Sequence, residues 1–108
     1  MLKTNSDSTS FGIPKSSFQL IITTLHSFPE IKWVKLYGSR ALGTEKKGSD
    51  IDIAYSGPSH IQAHLLEQLE DLSTPYTFDV THYEEITEIG FKHHIDNHGV
   101  LLIKKIGI

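Results

Sequence analysis

An alternating run of acidic and apolar residues constrains the fold of this chain more than any other feature. Asp50 and Asp52 alternate with Ile51 and Ile53. Because successive side chains of a strand point to opposite faces, this run predicts a strand with one apolar and one acidic face. The two carboxylates are then expected on the same side of a sheet, about 6 to 7 Å apart along the strand.

A glycine–serine pair ends the strand predicted just before this acidic one. Residues 33–37 are rich in β-branched and aromatic side chains and stop at Gly38 and Ser39. Glycine allows backbone N–H groups to approach a phosphate closely, and serine adds a hydroxyl donor. Arg40 and the pair at 46–47 would add positive charge. The pattern therefore predicts binding of a polyphosphate, with Gly38, Ser39 and Arg40 as nucleotide-binding residues.

Asp79 supplies a third acid within a strand predicted over 76–83, where it shares the polar face with Thr81. If this strand neighbours that of Asp50 and Asp52, three carboxylates share one site and repel one another unless cations lie between them. Mg²⁺ prefers oxygen ligands, and two-metal sites neutralise the attacking and leaving oxygens of an in-line displacement. We therefore predict two Mg²⁺ ions held by Asp50, Asp52 and Asp79 against a nucleoside triphosphate, and assign these acids as catalytic residues.

The remaining apolar spacings predict the rest of the fold. Together they indicate an α/β (α+β) fold, a small mixed sheet of about four strands with helices packed on it. The expected elements are a helix from Ser17, a plausible N-cap, ended by Pro29; strands over 33–37 and 51–55; a helix from Ser59 through Leu72; the strand over 76–83; a helix over 91–98 capped by a left-handed Gly99; and a short buried strand over 100–103.

Net charge bears on the partners that this chain can bind, and the lack of targeting patterns bears on its location. Among 108 residues, 10 Lys+Arg against 13 Asp+Glu give a net charge of −3, which argues against non-specific attraction to nucleic acid or anionic lipid. The absence of cysteine excludes disulfides and a thiol nucleophile. Residues 1–12 are expected to form a flexible leader and 13–108 one domain. With no secretory or membrane-spanning pattern, a cytoplasmic location is expected.

Less specific interpretations compete with this site. An isolated Asp-x-Asp is more often a solvated strand face than a metal site, and only its combination with Gly38, Ser39 and Asp79 favours chemistry. His60 and His64 are spaced i, i+4, but they lie opposite the leucine stripe of their helix and lack an H-E-x-x-H pattern, so solvated histidines are expected instead of zinc ligands.

The combined pattern resembles the signature of the minimal nucleotidyltransferases of the DNA polymerase β-like superfamily. That signature is Gly38-Ser39, ten residues, then Asp50-x-Asp52, and the similarity extends over nearly the whole chain, including 28–30 and 83–86. The resemblance implies a nucleotidyltransferase fold in which Gly38 and Ser39 hold the nucleotide phosphates. It also implies that Asp50 and Asp52 bind Mg²⁺ and that Asp79 is the third metal-site acid.

The resemblance further implies a partner. In related two-gene systems of the stand-alone bacterial type, the companion is a helical protein of the HEPN or substrate-binding kind, and the small enzyme is an antitoxin that attaches AMP to a tyrosine of a HEPN ribonuclease toxin. We therefore expect a Mg²⁺-dependent transferase of AMP from ATP to a hydroxyl acceptor. Transfer to a small molecule or an RNA end, a non-catalytic partner-binding antitoxin module, and self-association remain open. Thr81-His82 departs from relatives that often carry another acid there.

Overall fold

A four-stranded mixed sheet with the strand order β5-β4-β3-β6 is the centre of the fold. The structure is a computed structural model that describes residues 9–105. Its elements in chain order are β1 (Thr9–Ser10), β2 (Ile13–Pro14), α1 (Lys15–His26), β3 (Trp33–Tyr37), α2 (Ser39–Leu42), β4 (Ile51–Ser56), a 3₁₀ turn (Ser59–Ile61), α3 (Gln62–Glu70), β5 (Phe78–His82), a second 3₁₀ turn (Tyr83–Glu85), α4 (Ile89–His98) and β6 (Val100–Lys104).

The strand directions explain why helix α3 stands between β4 and β5. β3 runs antiparallel to both β4 and β6, and β4 runs parallel to β5. A parallel pair needs a crossover connection, which α3 supplies, and α3 packs against β5. The predicted fold class, a small mixed sheet with helices packed on it, is confirmed.

The sheet separates a large core from a small one. On one face, the alternating Ile51, Ile53 and Tyr55 of β4 are fully buried with apolar residues of α1 and α3. On the other face, Tyr37 and Ala54 pack against the buried Ile95 of α4. Alternation along β4 places Asp52 on this second face, beside Ala54. The acidic side of the sheet therefore lies on the side of α4.

Helix ends differ from the sequence prediction. Helix α1 begins at Lys15, two residues before Ser17, and its N-cap is Pro14 with no side-chain hydrogen bond. It ends at His26, and α3 ends at Glu70, each before the expected limit. None of the helices within residues 9–105 is long and apolar enough to cross a membrane.

The predictions around Gly99 and β6 are wrong in two respects. Gly99 has φ −68°, which is not left-handed; a Cβ there would lie 2.5 Å from the carbonyl oxygen of Ile95, so close approach explains the glycine. β6 is not buried but lies at the edge of the sheet, where Ile103 is buried and Leu101 is about half exposed at 48%.

Residues 9–12 pack more than an unattached leader would. β1 and β2 pair as a two-residue antiparallel ribbon. Phe11, at its turn, has φ 57° and packs against Phe18 of α1, with ring centroids 6.1 Å apart. This contact ties Phe11, at the end of the predicted leader, to α1, and composition does not reveal such a single anchoring aromatic. The rest of the predicted leader, over 1–8, lies outside the described residues.

Candidate active site

Asp52 and Asp79 lie side by side on the parallel strands β4 and β5. The strand register pairs Asp52 with Asp79 on one side and with Tyr37 of β3 on the other. Adjacent strands are about 4.8 Å apart, so side chains at paired positions on one face are neighbours. Two of the three predicted acids are therefore brought together, although 27 positions separate them along the chain.

Asp50 lies immediately before β4, near the end of the strand that carries Asp52. It is exposed, and its carboxylate accepts a hydrogen bond from the hydroxyl of Thr77, which precedes β5. Within residues 9–105, no group of three or more histidine, aspartate or glutamate side chains is already arranged to hold a metal ion. Asp50 thus stands next to the Asp52–Asp79 pair but is engaged by a neighbouring hydroxyl in this conformation.

Gly38 is a position where only glycine fits without rearrangement. It follows β3 directly, has φ 79°, and a Cβ built on it would collide with Oδ2 of Asp52. Its carbonyl accepts hydrogen bonds from the amides of Ala41 and Leu42, the last two residues of α2. The turn between β3 and α2 therefore passes directly against the carboxylate of Asp52. Ser39, the first residue of α2, is half-buried next to it.

Arg40 is buried under the loop that leads from α2 to β4. It is 3% exposed, and its guanidinium donates hydrogen bonds to the carbonyls of Phe11, at 3.0 Å, and Ser49, at 2.9 Å. The guanidinium also lies 5.0 Å from the ring centroid of Tyr76. Two of its three nitrogens are thus used by the chain itself, and contact with a nucleotide stays a prediction. The lysines at 46–47 are exposed on the same loop.

The surroundings of Asp52 oppose its negative charge. Burial raises the pKa of Asp52 above 3.8, the charges of Asp79 and Asp50 raise it further, and the charge of Arg40 lowers it. A divalent cation would relieve this repulsion, and a set of carboxylate oxygens is the donor chemistry that Mg²⁺ prefers. The acids and the glycine against Asp52 therefore fit a magnesium-dependent phosphate site.

Sequence analysis placed Tyr37 at the end of the strand over 33–37 and missed the role of its hydroxyl. The ring does pack, edge-on to Phe91 with centroids 5.4 Å apart, and the side chain is 7% exposed. Its hydroxyl lies 3.3 Å from Oδ2 of Asp79 and 2.9 Å from Oγ1 of Thr81. Burial raises the pKa of Tyr37 to about 12, with the charges of Asp79 and Asp52 adding to the rise and Thr81 opposing it. Only the register of β3, β4 and β5, which no local pattern carries, could have revealed this contact.

Comparison with protein families identifies the class of protein to which this fold belongs. The family profile described as "Polymerase beta, Nucleotidyltransferase" matches residues 19–106. The chain therefore belongs to the polymerase β nucleotidyltransferase family, and it is a nucleotidyltransferase. The family prediction made from the sequence is confirmed.

Solved structures of toxin–antitoxin complexes share the fold. A chain of a toxin–antitoxin structure with AMP-PNP is 22% identical, with a TM-score of 0.68, covering 82% of this chain and 73% of that chain. A chain of the MntA–HepT toxin–antitoxin structure is 18% identical, with a TM-score of 0.62 and coverages of 84% and 73%. A chain of a structure of tri-AMPylated Shewanella oneidensis HEPN toxin with MNT antitoxin is 18% identical, with a TM-score of 0.62 and coverages of 84% and 72%. No curated protein is significantly similar in sequence.

Proposed function

We propose that this protein transfers AMP from ATP, with Mg²⁺, to a hydroxyl group of a helical protein partner, as the catalytic antitoxin of a two-component pair in the cytoplasm. The observation that carries the proposal is that the strand register pairs Asp52 with Asp79 and that the turn at Gly38 lies against the carboxylate of Asp52. The similarity in fold to a chain solved with AMP-PNP, and to one from a complex that contains an AMPylated HEPN toxin, supports ATP and a HEPN-type partner.

Each residue of the site has a role that its position supports. Asp50, Asp52 and Asp79 would hold two magnesium ions, which supply charge neutralisation for the triphosphate and its leaving group. Gly38 lets the backbone of the turn lie against Asp52, beside the phosphates that the acids would hold, and Ser39 offers a hydroxyl there. Together these residues hold the α-phosphate in line with the acceptor, which contributes through orientation.

The transfer itself is a single displacement. The acceptor hydroxyl oxygen forms a bond to the α-phosphorus, and the bond from that phosphorus to the bridging oxygen breaks, so that pyrophosphate leaves. The hydroxyl proton passes to a carboxylate, and we assign this base to Asp79, which is exposed at the edge of the sheet. The partner is expected to present the acceptor, because most of the apolar residues of the described chain pack into the sheet's own cores.

The test follows a labelled phosphate. The purified chain is incubated with a HEPN-type partner, Mg²⁺ and each nucleoside triphosphate labelled at the α-phosphate. We expect label from ATP on the partner, located on a tyrosine by mass spectrometry. Asp52→Asn should lower transfer at least about 100-fold, since it removes a ligand from the charge-neutralising set. Asp71→Asn, an exposed aspartate at the end of α3, is the matched control and should transfer normally.

Other outcomes identify the alternatives. Label that appears on an RNA end or a small molecule would replace the protein acceptor. If no label moves and Asp52→Asn protein still silences the partner as well as the parent does, the chain acts as a binding module and the catalytic proposal is wrong.

A further inference from the structure

A hydrogen-bonded chain of three side chains leads to the third acid of the site and is not part of the family signature. It consists of Thr81 of β5, Tyr37 of β3 and Asp79 of β5. The strand carrying Asp52 runs between β3 and β5, so the tyrosine ring reaches across β4 to the neighbouring strand. Tyr37 thus connects the two strands on either side of Asp52.

The direction of this chain follows from proton counting. The hydroxyl of Tyr37 lies within donating distance of Oδ2 of Asp79, at 3.3 Å, and in this contact the carboxylate oxygen is the acceptor. That uses the only proton of the phenol. The 2.9 Å contact with Thr81 is then satisfied only if the threonine hydroxyl donates to the tyrosine oxygen. The order of donation is Thr81 to Tyr37 to Asp79.

The donor is held in place by packing. The side chain of Tyr37 is almost fully buried, and the ring of Phe91 from α4 contacts it edge-on. Its backbone pairs with β4 and follows directly into the Gly38 turn. Asp79, by contrast, is exposed. A fixed donor beside an exposed acceptor restricts the rotation of the acceptor, because one carboxylate oxygen is tied to a rigid position.

We propose that Tyr37 is a positioning residue for Asp79, which holds Oδ2 so that Oδ1 is the oxygen presented to a cation or to the proton of the acceptor. Thr81 acts one step further away by orienting the phenol. The inference rests on the proposed function, because it assigns a task within that site. Some residues orient a metal-ligating side chain through a hydrogen bond. Removing such a residue typically lowers metal affinity or activity about 10- to 100-fold.

The experiment uses three variants of the full chain. Tyr37→Phe removes the hydroxyl and keeps the ring against Phe91, and Thr81→Val removes the second hydroxyl. Tyr83→Phe is the matched control. Tyr83, on the second 3₁₀ turn, also donates to an aspartate, at 2.6 Å, but that aspartate is Asp96 of α4 and does not belong to the candidate site. Binding of Mn²⁺ in the presence of AMP-PNP is measured by calorimetry, together with kcat and KM for ATP in the transfer reaction.

We expect Tyr37→Phe to weaken Mn²⁺ binding about tenfold and to lower kcat by a similar factor, with KM for ATP changed less than about twofold. Thr81→Val should show a smaller loss of the same kind, and Tyr83→Phe should match the parent. Equal Mn²⁺ binding by Tyr37→Phe and the parent would overturn the inference, as would an equal loss in Tyr83→Phe.

The binding measurement separates this inference from the proposed function. If the parent binds Mn²⁺ with AMP-PNP but transfers no label, the transfer proposal fails, and the comparison of Tyr37→Phe with the parent still decides the positioning role. If the parent binds no Mn²⁺ with AMP-PNP, both are wrong. A circular dichroism melt confirms that each variant is folded at the temperature of the measurement.

Discussion

Asp52 is the residue at which burial and like charge act together. Burial raises its pKa above 3.8, and Asp79 and Asp50 raise it further. A carboxyl whose pKa is higher in the folded than in the unfolded state stabilises the fold below the unfolded pKa and loses that contribution as the pH rises through the folded pKa. At neutral pH, the charge on Asp52 therefore costs stability in the absence of a cation.

We therefore expect Asp52→Asn to be more stable than the parent at pH 7 without metal. The advantage should shrink as the pH falls through the carboxyl range, because the parent then becomes neutral at this position. Thermal melts from pH 3 to 8 measure it, with Asp71→Asn as the control. Mg²⁺ with ATP should raise the melting temperature of the parent more than that of Asp52→Asn. A lower stability of Asp52→Asn at every pH would contradict this account.

Gly38 predicts a different effect of one added methyl group. Gly38→Ala places a Cβ at φ 79° and against the carboxylate of Asp52. With a ψ of −157°, this backbone conformation is essentially restricted to glycine, and holding an alanine in it costs about 1 to 3 kcal/mol. Gly43→Ala is the control for an alanine at positive φ, since Gly43 has φ 78° with a left-handed ψ of 18° and nothing within 4 Å of its Cβ position. We expect both to lower the melting temperature, and Gly38→Ala alone to lose AMP transfer at least about tenfold. Equal activity of the two variants would remove the contact with Asp52 from the argument.

At the scale of elements, the positions of the short helix α2 and of the loop after it depend on the buried guanidinium of Arg40. Arg40 links α2 to the β1–β2 turn, through Phe11, and to the residue before Asp50, through Ser49. Hydrogen bonds to a charged group contribute about 1.5 to 3 kcal/mol. The position of Asp50 next to β5 therefore depends on a residue that sequence analysis placed among the nucleotide ligands.

Arg40→Lys tests this link while keeping the charge. The donors of a lysine all lie on one nitrogen, which does not reach both carbonyls, so we expect a loss of about 2 kcal/mol, or roughly 10 °C in melting temperature. Lys47→Arg, on the exposed part of the same loop, should leave the melting temperature unchanged. An unchanged melt of Arg40→Lys would show that charge alone is needed.

The elements also show which features a single sequence can reveal. The strands over 33–37 and 51–55 were predicted closely, because alternation of apolar and polar residues is local and follows from the strand period. Asp52 was therefore placed on the polar face of β4 correctly, whereas Asp50 lies just before the strand. The end of α1, the short helix α2 and the conformation of Gly99 were missed, because each depends on contacts with distant residues, such as the approach of Gly99 to Ile95. The contact of Tyr37 with Asp79 was missed for the same reason, since it needs the strand order.

At the scale of the whole molecule, a buried histidine joins the far ends of β4 and β5. His82 Nε2 lies 2.5 Å from the carbonyl oxygen of Gly57 and 3.2 Å from Oε1 of Glu84, and Nδ1 lies 3.1 Å from Oε1 of Glu85. Burial lowers the pKa of His82, but its contacts with Glu85, Gly57 and Glu84 outweigh burial and raise it above 6.5. Burial also raises the pKa of Glu84, yet hydrogen bonds from Ser56 and Gly57 and the charge of His82 bring it below 4.5.

These two shifts set a pH window for stability. Histidine with a raised pKa stabilises the fold below about pH 6.5, and this contribution is lost as the pH rises through the folded pKa; glutamate with a lowered pKa stabilises it above about pH 4.5. We expect the joint contribution to be largest between these values. His82→Gln should abolish the decline in melting temperature between pH 6 and 9, whereas His64→Gln, an exposed histidine beside Glu67, should retain it. A decline that persists in His82→Gln would refute the assignment.

The parallel pair β4–β5 thus carries repelling carboxylates at one end and a buried histidine in contact with two glutamates at the other. Asp52 pairs with Asp79 near the start of the strands, and Tyr55 pairs with His82 three residues further on, about 10 Å away. The residues that stabilise this strand pair are consequently different from the residues proposed to catalyse the transfer. A variant of this chain could lose its acids one at a time, and with them transferase activity, and still keep the folded surface through which it binds other molecules.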